Sequence, residues 1–82
     1  MNEASFRKFL ETDYQGKLGQ RSIGDLISRC KRIEKSLDID LDQGFDCDMM
    51  TGLLQTISSN TLVVLNLRNA LARYQDFKQD NP

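Results

Sequence analysis

Apolar residues recur along this chain at helical rather than strand spacing. The clearest run is Ile23, Leu26, Ile27, Cys30, Ile33 and Leu37, which places six side chains on one stripe of a helix. Ser22 precedes the run and Asp25 follows three residues later, so Ser22 is the expected N-cap, with acidic charge in the first turn. Upstream, Phe6, Phe9 and Leu10 share a side of a first helix expected over Glu3 to Thr12, and Tyr14, Gly16 and Gly19 fall in the loop after it. Asp38 to Gly44 breaks the periodicity. There Ile39 and Leu41 alternate with aspartates and are expected to tuck inward. Asp46 or Asp48 can cap a short third helix through Met49, Leu53, Leu54 and Ile57, weakened by Gly52. Ser58-Ser59-Asn60 forms a turn and cap cluster. From Thr61 a long helix carries Val63, Leu67, Ala70, Leu71, Tyr74 and Phe77 on one face, with Leu62 and Leu65 opposite. A helix apolar on both sides belongs in the middle of a bundle. No strand alternation, internal repeat or linker competes. The pattern predicts one all-α domain over residues 1–82, a compact four-helix bundle.

Length and composition narrow the chemistry. A chain of 82 residues buries roughly 60% of its unfolded surface, so its core is marginal. It has no His, which removes imidazole bases, His metal ligands and His-dependent nucleophiles. The longest unbroken apolar stretch is Leu62 to Leu65, far short of a membrane span, and the N-terminal residues have no apolar core of a signal peptide. Cys30 and Cys47 are too few and too far apart for a disulfide framework or zinc knuckle, and are expected as reduced thiols of a cytoplasmic protein.

Charge changes the picture more than composition does. The net charge is −1, but residues 1–35 hold eight basic and five acidic side chains, whereas residues 36–60 hold five aspartates and no cation. Residues 61–82 are nearly neutral, with three basic and two acidic side chains. The molecule is polarised. On helix 2, Ser28, Lys31, Arg32 and Lys35 face away from the apolar stripe, Arg29 flanks them, and Lys17 and Arg21 lie just before. A solvated basic face beside a helix N-terminus can hold phosphates by charge and by backbone N–H groups. The same residues would equally solvate a surface helix. Glu34 falls inside the apolar stripe, and an ion pair with Arg68 or Arg73 is the expected compensation.

Other motifs dissolve on inspection. Asp38-Ile-Asp40-Leu-Asp42 begins like a calcium loop, but Gln43 stands where the loop needs Gly and Met49 where it needs a bidentate Glu. Asp76-Phe77-Lys78 has the shape of a nuclease tail without a sheet to hold further carboxylates. Tyr14 and Tyr74 lack an activating base, and core packing is the expected role of both, as it is of Met49 and Met50. Cys30 lies in the stripe, and Cys47 between two aspartates should be a poor nucleophile. A helix-turn-helix built from helices 3 and 4 would put Leu62 and Leu65 where a reading helix needs polar side chains. No catalytic residue, metal site or cofactor is expected.

The order of segments carries a resemblance. A short helix with FRKFLE, a Gly-containing loop, RSIGDLISRCKRIEKSL, an acidic loop with a short helix, and SSNTLVVLNLRNALARYQDF together resemble the SAM-like core-binding domain of phage integrases and other tyrosine recombinases, across Phe6 to Phe77. Similar helical modules occur as N-terminal domains of bacterial nucleases and restriction-type proteins. The resemblance implies a four-helix DNA clamp without chemistry, and the recombinase catalytic domain has no counterpart here. It places Arg21, Ser22, Ser28, Lys31, Arg32 and Lys35 at DNA-facing positions of helix 2, with Arg68 as the candidate on helix 4. The acidic stretch from Asp38 to Asp48 departs from a typical clamp. DNA binding through Lys17, Arg21, Ser22, Ser28, Arg29, Lys31, Arg32, Lys35 and Arg68 is thus the leading expectation. The other is a protein-interaction, inhibitor or dimerisation module that uses Leu62, Leu65 and the acidic loop, as a partner-bound domain or a homodimer.

Overall fold

Among the described residues four α-helices follow one another in chain order, and side-chain caps open three of them. The computed structural model describes residues 1–13 and 18–80, apart from the side chains of Asp13, Cys47 and Asp80. Tyr14 and Lys17 therefore lie outside the described residues, as does the side chain of Cys47. Helix α1 spans Glu3–Lys8, opened by the Asn2 side chain accepting from the Ser5 N–H, and continues as a wide π-type turn over Phe9–Asp13. Helix α2 spans Gln20–Leu37 and α3 spans Cys47–Leu54. Helix α4 runs over Thr61–Asp80, about 30 Å at 1.5 Å per residue. Among the described residues there is no strand.

Two start points differ in outcome. Asp46 caps α3 by accepting from the Asp48 N–H, as the sequence suggests. Ser22 does not cap α2. The helix starts three residues earlier, with Gly19 in extended conformation at its cap and no side-chain hydrogen bond there. Asn60 caps α4, its side-chain oxygen accepting from the N–H groups of Leu62 and Val63.

The core is one cluster. Helix α4 packs against both α2 and α3, while Phe6 and Phe9 of the first segment close on its C-terminal half. Phe6 meets Tyr74 edge-on with ring centroids 4.8 Å apart, and Phe6 and Phe9 lie 5.5 and 5.6 Å from Phe77. Such aromatic pairs contribute about 0.5–1.5 kcal/mol each beyond their burial. Ile23, Leu26, Ile27, Cys30 and Ile33 are buried along α2 as the periodicity requires. In the Asp38–Gly44 segment a short 3-10 turn over Leu41–Gln43 buries Leu41 completely, and Ile39 is half-buried.

The structure corrects α4 and α3 in detail. Val64 rather than Val63 enters the core, and Val63 is only half-buried. Leu62 and Leu65 remain 66% and 48% exposed, so the central helix of the bundle still leaves one apolar flank in solvent. Met50 fills the core, but Met49 is 72% exposed. Helix α3 ends at Leu54 and reaches Ile57 through a turn. No helix among the described residues is long and apolar enough to cross a membrane.

Candidate nucleic-acid interface

Because the apolar stripe of α2 turns inward, its opposite face is solvent-exposed along the whole helix. Arg21, Ser28, Arg32 and Lys35 are separated by seven, four and three residues and share that face, and all four are exposed. From Arg21 to Lys35 the row covers about 21 Å. Arg21, Arg32 and Lys35 have no ion pair among the described residues. Asp25 lies on the same face one turn beyond Arg21 and reduces its net charge.

The remaining candidates sit at the margins. Ser22 is exposed and Arg29 half-exposed on one flank. Lys31 is on the other flank and gives its ammonium to Glu3 of α1 at 2.6 Å. With 55% and 43% of the two side chains exposed, this pair is worth no more than about 1 kcal/mol and can exchange for another anion. Arg68 does not join the row. It lies beside Asp48 of α3 at 3.9 Å, on α4, against which the apolar side of α2 packs. Arg7, which spacing alone did not single out, stands one turn after Glu3 on α1 and is half-exposed. Its signal was the basic pair that ends α1, Arg7 and Lys8.

The N-terminus of α2 contributes backbone donors. With Gly19 at the cap, no side chain among the described residues takes up the first free N–H groups. The nearby Gln20 amide donates to the Glu11 carboxylate at 3.1 Å, which brings one acidic group to the same end.

Glu34 resolves differently from expectation, and it organises the contacts around the Met1 ammonium. Its expected partner was Arg68 or Arg73. Its carboxylate holds the α-ammonium of Met1 at 2.9 Å and accepts from the Leu41 N–H at 2.9 Å. The same ammonium lies 3.0 Å from Asp40 and 3.5 Å from Asp42. Tyr74 donates its hydroxyl hydrogen to Asp42 and accepts from the Asn2 N–H at 3.0 Å, while Lys78 lies 3.6 Å from Asp42. Burial works against the Met1 ammonium, but hydrogen bonds to Glu34 and Asp40 and the charges of Glu34 and Asp42 outweigh it, raising its pKa from 8.0 to about 10. The Asp40 carboxyl is held below 3.8, first by the Asp42 N–H it accepts and then by the Met1 ammonium. For Asp42, burial pushes the other way, yet the Tyr74 hydroxyl and nearby cations keep it below 3.8 as well.

Of the aspartates that resemble a calcium loop, Asp40 and Asp42 are occupied by fold contacts, and among the described residues no group of three or more Cys, Asp or Glu could hold a metal ion. Burial, with the Glu34 charge behind it, raises the Cys30 thiol to about 12, and its Sγ lies 3.6 Å from the Ala70 carbonyl oxygen. The Tyr74 phenol is pushed well above its ordinary value by burial and by Asp42. Comparison of the chain with known protein families, curated proteins and solved structures finds no match.

Proposed function

We propose that this chain is a non-catalytic DNA-binding domain that grips the phosphate backbone with the outer face of α2. The observation that carries the reading is the row Arg21, Ser28, Arg32 and Lys35, whose three cations have no ion-pair partner among the described residues. Lys31, Arg29 and Ser22 widen it, and the uncapped first turn of α2 adds N–H donors at one end. Arginine and lysine on phosphates position a duplex without reading its bases, so binding is weakly sequence-selective. The order of segments in the sequence, which resembles that of the SAM-like domains of phage integrases, points the same way. A chain that works on DNA with a reduced, buried Cys30 belongs in the cytoplasm.

The test is a titration of labelled duplex DNA at low and moderate salt. Four phosphate contacts would give a log–log salt slope of about −3 to −4. The double reversal Arg32→Glu with Lys35→Glu should weaken binding by at least about tenfold at low salt. Absence of binding by the unaltered chain at low salt, or an unchanged affinity in the double variant, removes the proposal.

A second reading, self-association, is favoured by Leu62 and Leu65, which α4 leaves exposed near its start. Light scattering over a range of concentrations decides it. A strict monomer rules it out.

A further inference from the structure

The flank of α3 away from α4 carries a feature that DNA binding does not use. Ile39, Phe45, Met49, Met50 and Leu53 line a cleft of ≈ 260 Å³, with Asp40 and Asp46 at its lip. A broader, open depression formed by Asp38, Asp40, Gln43 and Gly44 adjoins it, and Ile39, Asp40 and Gly44 belong to both. The two halves make one trough, apolar at one side and acidic at the other.

Its apolar half is held open rather than collapsed. Met49 and Leu53, one turn apart on α3, are 72% and 45% exposed. Phe45 stacks over the buried Tyr74 ring at 6.5 Å, and Gly44 before it has φ +91, a backbone that residues with a Cβ rarely adopt. Its acidic half lies in a segment, residues 36–60, with five aspartates and no Lys or Arg. Among the cations that reach this segment are the Met1 ammonium at Asp40 and Asp42, Lys78 at Asp42 and Arg68 at Asp48, while Asp38 and Asp46 are exposed.

We propose that this trough docks a basic amphipathic helix of a partner protein. Apolar side chains from one face of that helix enter the cleft between Phe45, Met49 and Leu53, and its flanking Lys or Arg side chains lie along Asp38, Asp40 and Asp46. Charge complementarity selects this occupant. DNA is repelled by the aspartates. A second copy fits poorly, because the basic row of α2 carries no large apolar side chain, and the exposed pair Leu62 and Leu65 has beside it only Arg68, already turned to Asp48. An exposed thioether beside aromatic and leucine side chains adapts readily to a helix of this kind.

The experiment measures fluorescence anisotropy of labelled synthetic peptides with the full chain. The probe is a leucine–lysine peptide of about 14 residues, four helical turns, with leucines on one face. A scrambled leucine–lysine peptide and a leucine–glutamate peptide serve as controls. The amphipathic basic peptide should bind, and Met49→Ser with Leu53→Ser should weaken it about tenfold or more. Asp38→Asn with Asp40→Asn, which keeps side-chain acceptors and a residue tolerant of φ 55 at position 38, should weaken it several-fold and flatten its salt dependence. Circular dichroism confirms that each variant is folded, and should the serine pair unfold the chain, the asparagine pair still decides. No binding by the amphipathic basic peptide, equal binding of either control, or undiminished binding by the variants overturns the proposal. Dimerisation of the chain that Met49→Ser with Leu53→Ser abolishes would assign the trough to a second copy and overturn it too.

Discussion

The Tyr74 hydroxyl is where three segments meet: it donates to Asp42 in the acidic segment, accepts from Asn2 at the start of the chain, and belongs to α4. Removing that oxygen leaves a part-buried carboxylate and a backbone N–H short of one partner each. Tyr74→Phe should therefore cost about 1–3 kcal/mol in urea unfolding, although the ring packing with Phe6 and Phe77 is retained. A loss below about 0.5 kcal/mol would mean water replaces both contacts freely. The neighbouring Met1 ammonium sets a pH dependence. Its pKa is raised from 8.0 to about 10 on folding, so its contribution is complete below pH 8 and is lost as pH rises toward 10. The Cys30 and Tyr74 shifts have the same sign and act at higher pH. The lowered Asp40 and Asp42 contribute above pH 3.8 and lose that contribution as pH falls below it. Thermal unfolding between pH 7 and 10 should show a falling midpoint, less steep in Glu34→Gln, which keeps an oxygen for the Leu41 N–H but loses the charge facing Met1. A flat profile would show that the ammonium does not hold this contact in solution.

At the scale of the element, the helices differ in how fully their own sequence specifies them. Helix α2 needs little help, since its apolar stripe and polar back are cleanly divided, and it ends on Asp38 in the left-handed region at φ 55. Helix α3 is short, has a glycine in its middle and holds together through the Asp46 cap and burial of Met50 and Leu54. A Cβ added at Gly52 would meet nothing within 4 Å beyond its chain neighbours and the backbone of its own helix, and the backbone there is helical. Gly52→Ala should therefore stabilise the chain by about 0.5–1 kcal/mol, read as an upward shift in urea midpoint. A destabilised variant would mean that α3 needs the flexibility of that position. The same contrast explains which boundaries were legible. The Asp46 and Asn60 caps follow from side-chain chemistry, whereas α2 begins at Gln20 because the chain after the first segment delivers Gly19, not Ser22, to the end of the helix.

Across the whole molecule, the basic row runs along α2 and the acidic trough is built by α3 and the loop before it, and the two come nearest where Lys35 stands one turn before Asp38, the residue that ends α2. Away from that junction two partners of opposite charge should bind independently. Met49→Ser with Leu53→Ser is expected to leave DNA affinity within about twofold, and Arg21→Glu, at the other end of α2, to leave peptide affinity within about twofold, because such distant sites share no contact. Anisotropy titrations of both probes on both variants check this, and a crossed loss in either direction would show one shared surface. The near-zero net charge of the chain is then no measure of its preference for anions, since the surface that would meet a phosphate backbone is locally positive.

By itself the sequence determined the all-α class, the inward stripe of α2 and the outward position of Ser28, Arg32 and Lys35, because 3.6-residue periodicity assigns a side without reference to any other helix, whereas Arg21, expected before the helix, joins their face only because α2 begins at Gln20. It could not tell Val64 from Val63 as the core residue, or Met50 from Met49, because adjacent apolar residues satisfy the period equally well. The choice fell to how α3 and α4 rotate against each other. Nor could it pair Glu34 with Met1, bring Phe45 over Tyr74, or divert Arg68 to Asp48. Those contacts join residues distant in the chain, and packing alone selects among the many partners that charge and size would allow.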